Sequence, residues 1–199
     1  MTAPVAITLS RPEISHSEIL RYGGAMGRDE ETLQLMESCL DEILPKLVYR
    51  VVWSRVSIVR RGACMEFGGI FTESRTLALA LDGCDEAILF AATVGLGPDR
   101  MVARYGRISP ARALMHQAIG AERVESLCDA FSATLSKELS VSFRTRVSAG
   151  YGDIPLEMQR DFFSLLDIQR KIGVSLNGSL LMSPTKSVTA IMGIKKIIG

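Results

Sequence analysis

The chain has 199 residues, of which 47% are hydrophobic and 23% charged, a balance that favours a packed core over disorder. The formal net charge is +1, from 23 Lys and Arg against 22 Asp and Glu, so we predict no nucleic-acid partner. No run approaches the roughly 20 apolar residues of a membrane span, so we predict no membrane partner. The opening MTAPVAITLSRPE does not resemble a secretory signal, and we expect a soluble, cytoplasmic protein.

The side chains that usually build metal sites and activated nucleophiles are scarce in this sequence. Only two histidines are present, His16 and His116, and the four cysteines form no CxxC pair. Neither GxSxG nor a P-loop or GxGxxG pattern occurs. We therefore predict no protein-built metal site and no catalytic side chain.

Two helices are predicted near the start of the chain. Ser15 and Glu18 form a capping-box pattern before the first helix. A second helix begins near Asp29, and Pro45 kinks or ends it. Residues 15 to about 47 therefore form an N-terminal helical part. The second helix is predicted because apolar residues recur at steps of three and four, at Leu33, Met36, Leu40, Ile43 and Leu47.

The middle of the chain predicts strands with a short helix between them. VYRVVWSRVSIVR is rich in β-branched residues and favours one or two strands, which FGGIF continues. Thr72 to Leu81 follows as a short helix, and AILFAATVG is typical of a buried strand. Next comes TVGLG, residues 93–97, which could present backbone N–H groups to an anion, although a plain strand-to-helix turn is the favoured interpretation.

A long helix is predicted after that turn. Ser109 and Pro110 are a strong helix start, with serine as cap, and the helix could run to about Leu139. SVSFRTRV then favours a strand, and Leu156 to Ile172 favours one further helix.

Two strand-like runs close the chain, VSLNGSLLM and SVTAIMGI. The four residues between them, Ser183 to Lys186, predict a hairpin. Helices and strands follow one another without regular alternation, which favours an α+β fold over a doubly wound sheet. No linker or repeat interrupts the chain, so we expect a single domain over residues 1–199.

RVSAGYGDIP, residues 146–155, is the stretch richest in binding chemistry. Arg146 can fork onto a carboxylate, and Gly150 permits close approach of a ligand. Tyr151 offers a flat face and a hydroxyl. Asp153 could cap the helix that starts near residue 156, or meet a ribose hydroxyl or an ammonium group. The set suits a zwitterionic amino-acid end joined to an aromatic end, and it equally suits a tight turn that caps a helix.

The stretch resembles the R-x-x-x-G-Y-x-A-C-P-D-H motif of the activation domain of cobalamin-dependent methionine synthase. The matching positions are Arg146, Gly150, Tyr151 and Pro155. LNGSLLMSPTKSV resembles the same family's L-T-E-S-x-x-M-x-P-x-x-S-V, through Leu176, Ser179, Met182, Pro184, Ser187 and Val188. The sequence departs from the family's alanine, cysteine, aspartate, histidine and tyrosine at Asp153, Ile154, Leu156, Glu157 and Leu180, respectively.

The resemblance implies a curved α+β module with a twisted antiparallel sheet flanked by helices. It implies that S-adenosylmethionine binds with its carboxylate on Arg146 and its adenosyl or methyl side against Tyr151. The full set of implied binding residues is Arg146, Ser148, Ala149, Gly150, Tyr151 and Asp153. The implied role is reductive reactivation of a methionine synthase, a partner that carries the cobalamin and receives an electron from a reductant such as flavodoxin.

Two alternatives stay open at this point. The chain could be a non-catalytic docking partner of a corrinoid protein that does not bind S-adenosylmethionine, which the departures at Asp153 and Glu157 favour. It could also be an enzyme that acts on a different small molecule with the same scaffold. The sequence contains no D-x-H-x-x-G run of the kind that ligates cobalt, so either corrinoid role requires a second chain.

Overall fold

The fold was analysed in a computed structural model, which describes residues 1–24 and 29–195. The helices of these residues are α1 (His16–Tyr22), α2 (Glu30–Ile43), α3 (Arg75–Ala80), α4 (Gly97–Tyr105), α5 (Pro110–Leu139), α6 (Met158–Leu166) and α7 (Ile168–Ile172), with a 3-10 turn at Leu44–Lys46. The strands are β1 (Val5–Thr8), β2 (Arg50–Arg61), β3 (Cys64–Phe67), β4 (Ile70–Thr72), β5 (Glu86–Thr93), β6 (Ser142–Phe143), β7 (Ser175–Leu176), β8 (Met182–Ser183) and β9 (Ser187–Lys195).

Seven strands form one sheet in the order β4-β3-β2-β5-β9-β6, with β1 added beside β2. All the strand pairs that the described residues form are antiparallel. The central strand β5 is buried along almost its whole length, as expected of a strand covered on both faces. Helices packed on a mostly antiparallel sheet confirm the predicted α+β class.

The two faces of the sheet are covered by different helices. Side chains of α3, α6 and α7 pack on one face, where Phe162 and Leu166 belong to the same apolar cluster as Leu89 of β5. The long helix α5 packs on the other face, where Phe131 meets Phe90 with ring centroids 5.0 Å apart. A third apolar cluster joins α5 to α1, α2 and α4. Within the described part of the chain, no helix is long and apolar enough to cross a membrane.

A buried ion pair joins the N-terminal segment to α5. The Arg123 side chain is fully buried and donates to the Glu122 carboxylate at 2.6 Å and to the Pro12 carbonyl at 2.8 Å. Burial by itself would lower the pKa of Arg123, but the Glu122 carboxylate raises it above its usual value. Glu122 also accepts the Ser15 N–H at 3.0 Å. Only one of the two hydrogen bonds of the predicted capping box forms. The Ser15 hydroxyl accepts the Glu18 N–H at the start of α1, but the Ser15 N–H donates to Glu122 and not to Glu18.

Three sequence predictions about the fold are wrong. The last two runs do not form a hairpin with each other: β7 pairs with β8 in a separate two-stranded sheet, and β9 pairs with β5 and β6. The helix predicted over Leu156 to Ile172 is interrupted at Asp167, which has φ of +51° and separates α6 from α7. Ser109 precedes α5 as predicted, but its side chain makes no capping hydrogen bond.

Candidate functional site

The segment over residues 146–155 folds into tight turns that leave an aromatic side chain in solvent. The Tyr151 N–H donates to the Ser148 carbonyl at 3.2 Å, and the Ile154 N–H donates to the Tyr151 carbonyl at 3.0 Å. Gly152 has φ of +60°, a conformation that residues with a Cβ rarely adopt. The Tyr151 side chain projects from these turns and is 64% exposed.

Asp153 connects these turns to the beginning of α3. Its carboxylate accepts hydrogen bonds from the Ser74 hydroxyl at 2.5 Å and from the Arg75 and Thr76 N–H groups at 2.8 and 3.0 Å. These donors, the Ser74 hydroxyl foremost, hold the pKa of Asp153 well below its usual value. Of the roles that the sequence left open for Asp153, capping the helix near Leu156 is not the one it takes, because tertiary packing presents the free N–H groups of α3 to its carboxylate instead.

A cleft of about 770 Å³ lies between these turns and α3. Its walls include Thr76, Leu79, Arg144, Tyr151, Gly152 and Lys195. Glycine is required at 152, because a Cβ there would lie 2.4 Å from the Thr76 Oγ1. The cleft combines an aromatic ring and an exposed aliphatic side chain with two cations. It therefore offers apolar surface to a flat ring, with polar groups beside it.

A second cleft, of about 530 Å³, adjoins the first. It is lined by Ser132, Phe143, Arg144, Thr145, Arg146 and Met192. Arg144 and Thr145 line both clefts, so the two adjoin along this segment, the first on the α3 side of the sheet and the second on the α5 side. We call this pair of clefts the groove.

Arg146 enters the groove as part of a charged cluster with α5. Its guanidinium donates to the Asp129 and Glu125 carboxylates, at 2.6 Å in each case. Burial by itself would lower the pKa of Arg146, but these two bonds raise it above its usual value. The Arg146 side chain is 24% exposed and that of Asp129 is 71% exposed. The cluster is therefore accessible to a ligand from solvent.

The predicted binding residues follow the groove and do not surround one pocket. Tyr151 lines the first cleft and Arg146 lines the second. Ala149 packs against the core, and Ser148 contributes its carbonyl to the turn. Gly150 has φ of +84°, and a Cβ there would lie 3.1 Å from the Leu156 Cδ1, so this glycine shapes the turn whether or not a ligand is bound.

The departures from the family motif lie mostly away from the groove. Ile154 is 4% exposed and belongs to the core beneath the turns. Glu157 precedes α6 without a capping hydrogen bond from its side chain. Leu180 has φ of +62° in the turn between β7 and β8 and lines neither cleft. Only Asp153, through its bonds to α3, acts on a wall of the groove.

Sequence reasoning missed the acidic partners of Arg146. Glu125 and Asp129 are four residues apart on α5 and so share one helix face, which is a signal visible in the sequence. Which cation they meet depends on how α5 packs across the sheet. Within residues 1–24 and 29–195, no group of three or more His, Cys, Asp or Glu side chains is placed to hold a metal ion.

Comparison with known proteins finds a similar structure but no matching sequence. No protein-family model matches the chain, and no curated protein sequence matches it. Among solved structures, the chain is similar to the crystal structure of the MetH reactivation domain bound to AdoHcy, with a TM-score of 0.73. The match covers 96% of this chain and 78% of that chain at 17% sequence identity. At this identity the likeness shows a shared fold.

Proposed function

We propose that this chain binds S-adenosylmethionine in the groove and supports the reductive reactivation of a cobalamin-dependent methionine synthase. The observation that carries the proposal is the likeness of nearly the whole fold to a reactivation domain bound to AdoHcy. AdoHcy is what remains of S-adenosylmethionine after its methyl group has left. The two short sequence stretches that resemble the same family support the proposal independently.

The donors and acceptors of the second cleft fit the amino-acid end of S-adenosylmethionine. Arg146 would hold the carboxylate through a charge-assisted hydrogen bond. Asp129, whose side chain is 71% exposed, would receive the ammonium group. A zwitterion can insert into the existing Arg146–Asp129 pair without leaving either charge unpaired, so the exchange costs little electrostatic energy.

The first cleft fits the adenosyl end. Tyr151 and Leu79 are 64% and 74% exposed and offer apolar surface to a flat ring. The glycines at 150 and 152 let the turn pack closely against Leu156 and Thr76, which fixes where Tyr151 stands, and Ser148 and Ala149 lie on the same turn. Asp153 acts as a positioning residue, because its bonds to the start of α3 hold the two walls of this cleft together.

The reaction itself would belong to the bound groups. A cobalamin held by the partner would supply the cobalt chemistry, accepting one electron from a reductant such as flavodoxin and the methyl group of S-adenosylmethionine, with AdoHcy as the product that leaves. This chain binds and orients the methyl donor and excludes water from the groove when the partner docks. The partner is a cobalamin-binding methionine synthase or a related corrinoid protein.

The test is reactivation in trans. This chain, S-adenosylmethionine and a reductant are mixed with a cobalt(II) methionine synthase that lacks its own activation domain. The absorption spectrum should change to that of methylcobalamin, and Tyr151→Ala should slow the change while Arg170→Ala, an exposed arginine outside the groove, should not. An unchanged cobalt(II) spectrum with the native partner would refute the proposed role.

A second candidate function is docking on a corrinoid protein without binding S-adenosylmethionine. The observation in its favour is that Arg146 already has two carboxylate partners and Asp153 already accepts three hydrogen bonds. Calorimetry with the purified chain separates the two functions. Saturable heat with S-adenosylmethionine supports the first function, and its absence at millimolar ligand, with partner binding retained, supports the second.

A further inference from the structure

Another cleft, of about 270 Å³, lies at the far end of the central strands from the groove and shares no lining residue with it. Thr93, the last residue of β5, pairs there with Arg50 of β2 and Ser187 of β9. The groove lies instead beside Lys195, where β9 ends. We call this site the basic cleft. The lining residues that matter for its chemistry are Lys46, Arg50, Gly95, Gly97, Arg100 and Gly173.

Three cationic side chains from three elements converge on the basic cleft. Lys46 comes from the 3-10 turn, Arg50 from β2 and Arg100 from α4, and none of the lining residues is acidic. The guanidinium groups of Arg50 and Arg100 donate to no acceptor among the residues that the structure describes. Lys46 donates to the Glu42 carbonyl and forms no ion pair within the described residues. Three like charges around one concavity attract an anion together.

The close approach that gathers these cations depends on two glycines. A Cβ on Gly97 would lie 2.9 Å from the Lys46 carbonyl oxygen, and a Cβ on Gly95 would lie 2.8 Å from the Val48 Cγ2. Because both positions lack a Cβ, the segment before β2 can lie directly against the turn after β5. That contact places Lys46 and Arg50 beside Arg100. The turn is the TVGLG stretch, for which the sequence left anion binding as an alternative to a plain turn.

We propose that the basic cleft binds the phosphate group of a small molecule. A phosphate monoester carries close to two negative charges and three acceptor oxygens, which match three converging cations better than the single charge of a carboxylate does. The cleft is about a third of the volume of the first cleft of the groove, so the phosphate and a small attached body fill it. The site is independent of S-adenosylmethionine binding in the groove.

Calorimetry with inorganic phosphate and pyrophosphate tests the proposal, with acetate as the monoanionic control. The wild-type chain should bind phosphate saturably and acetate far more weakly. Arg50→Gln and Arg100→Gln should each weaken phosphate binding about tenfold or more, the scale of one lost charge-assisted hydrogen bond. Arg107→Gln, which removes an exposed arginine just beyond α4, should leave it unchanged. Tighter binding of pyrophosphate would show that the cleft also accommodates a diphosphate.

The site is located by the backbone amide NMR shifts during the same titration. Shifts centred on residues 95–97 support the basic cleft, while shifts centred on Tyr151 and Lys195 would place the anion in the groove and overturn the proposal. So would equal affinity in Arg50→Gln, Arg100→Gln and Arg107→Gln. Retained S-adenosylmethionine binding in the variants would show that they are folded and that the two sites are separate.

Discussion

Two arginine clusters include residues of the same helix, α5, and differ in how exposed they are to solvent. Arg123 is fully buried, and Glu122 is 2% exposed. Arg146 is 24% exposed, and its partners Glu125 and Asp129 are 41% and 71% exposed. Both arginines bond to carboxylates, so the hydrogen bonds alone do not tell the clusters apart.

The difference in exposure separates a structural cluster from one that a ligand can enter. The buried pair directs its remaining donors to the carbonyls of Pro12 and Glu13, so it holds the N-terminal segment on α5. Removing one partner would leave an unpaired charge that water cannot reach. In the half-exposed cluster, water can replace a lost partner, so Arg146 can exchange a carboxylate of α5 for that of a ligand.

The largest expected effect tests the buried cluster. Glu122→Ala leaves Arg123 buried without a carboxylate and should lower the free energy of unfolding by about 3–5 kcal/mol. Glu125→Ala is the matched change in the exposed cluster and should cost less than about 1 kcal/mol. Urea unfolding of both variants measures the contrast. Equal losses would mean that exposure does not distinguish the clusters.

The next effect concerns binding. Arg146→Ala should weaken S-adenosylmethionine binding by about 1.5–3 kcal/mol, because it removes a charge-assisted hydrogen bond to the ligand carboxylate. The variant should still fold, since the cluster is open to water. Calorimetry gives the affinity, and Arg170→Ala is the control for removal of an exposed arginine outside the groove. A folded Arg146→Ala with wild-type affinity would make Arg146 a structural residue like Arg123.

The smallest expected effect is the pH dependence of stability that a buried titratable side chain, His116, produces. His116 is fully buried on α5, stacked on Tyr105 with ring centroids 5.4 Å apart and with its Nε2 3.5 Å from the Glu42 carboxylate. Burial lowers the pKa of His116, and Glu42 opposes this only in part. The unfolded chain therefore takes up this proton first as the pH falls. The contribution of neutral His116 to the free energy of unfolding is therefore complete above about pH 6.5. It declines below that pH, by up to about 1.4 kcal/mol per pH unit.

Urea unfolding at several values between pH 5 and pH 7.5 measures this slope. His116→Gln should flatten it, because the glutamine does not titrate. An equally steep slope in His116→Gln would assign the pH dependence to another group, with Glu42 the first to test, since its pKa is also lowered in the fold.

Most of the helices were predictable because their signals are local. The Ser109-Pro110 start and the scarcity of turn residues up to Leu139 predicted α5, and the structure has this helix over Pro110–Leu139. The α+β class followed from the irregular order of helices and strands. The hairpin prediction failed because of a local turn that the pattern of apolar residues does not reveal. The Asn177 side chain accepts the Ser179 and Leu181 N–H groups at 2.9 Å and folds the first run back on itself.

The sequence by itself singled out RVSAGYGDIP as the candidate binding stretch, because Arg146, Tyr151 and its glycines are residue types that bind ligands or shape turns wherever they occur. Only the tertiary structure decided what each charge meets. Asp153 meets the N–H groups of α3, some 78 residues away in sequence, and Arg146 meets the carboxylates of α5. Each charge pairs with the groups that packing brings near it. Packing across a seven-stranded antiparallel sheet brings together residues that are far apart in sequence, so their separation along the chain does not reveal the contact.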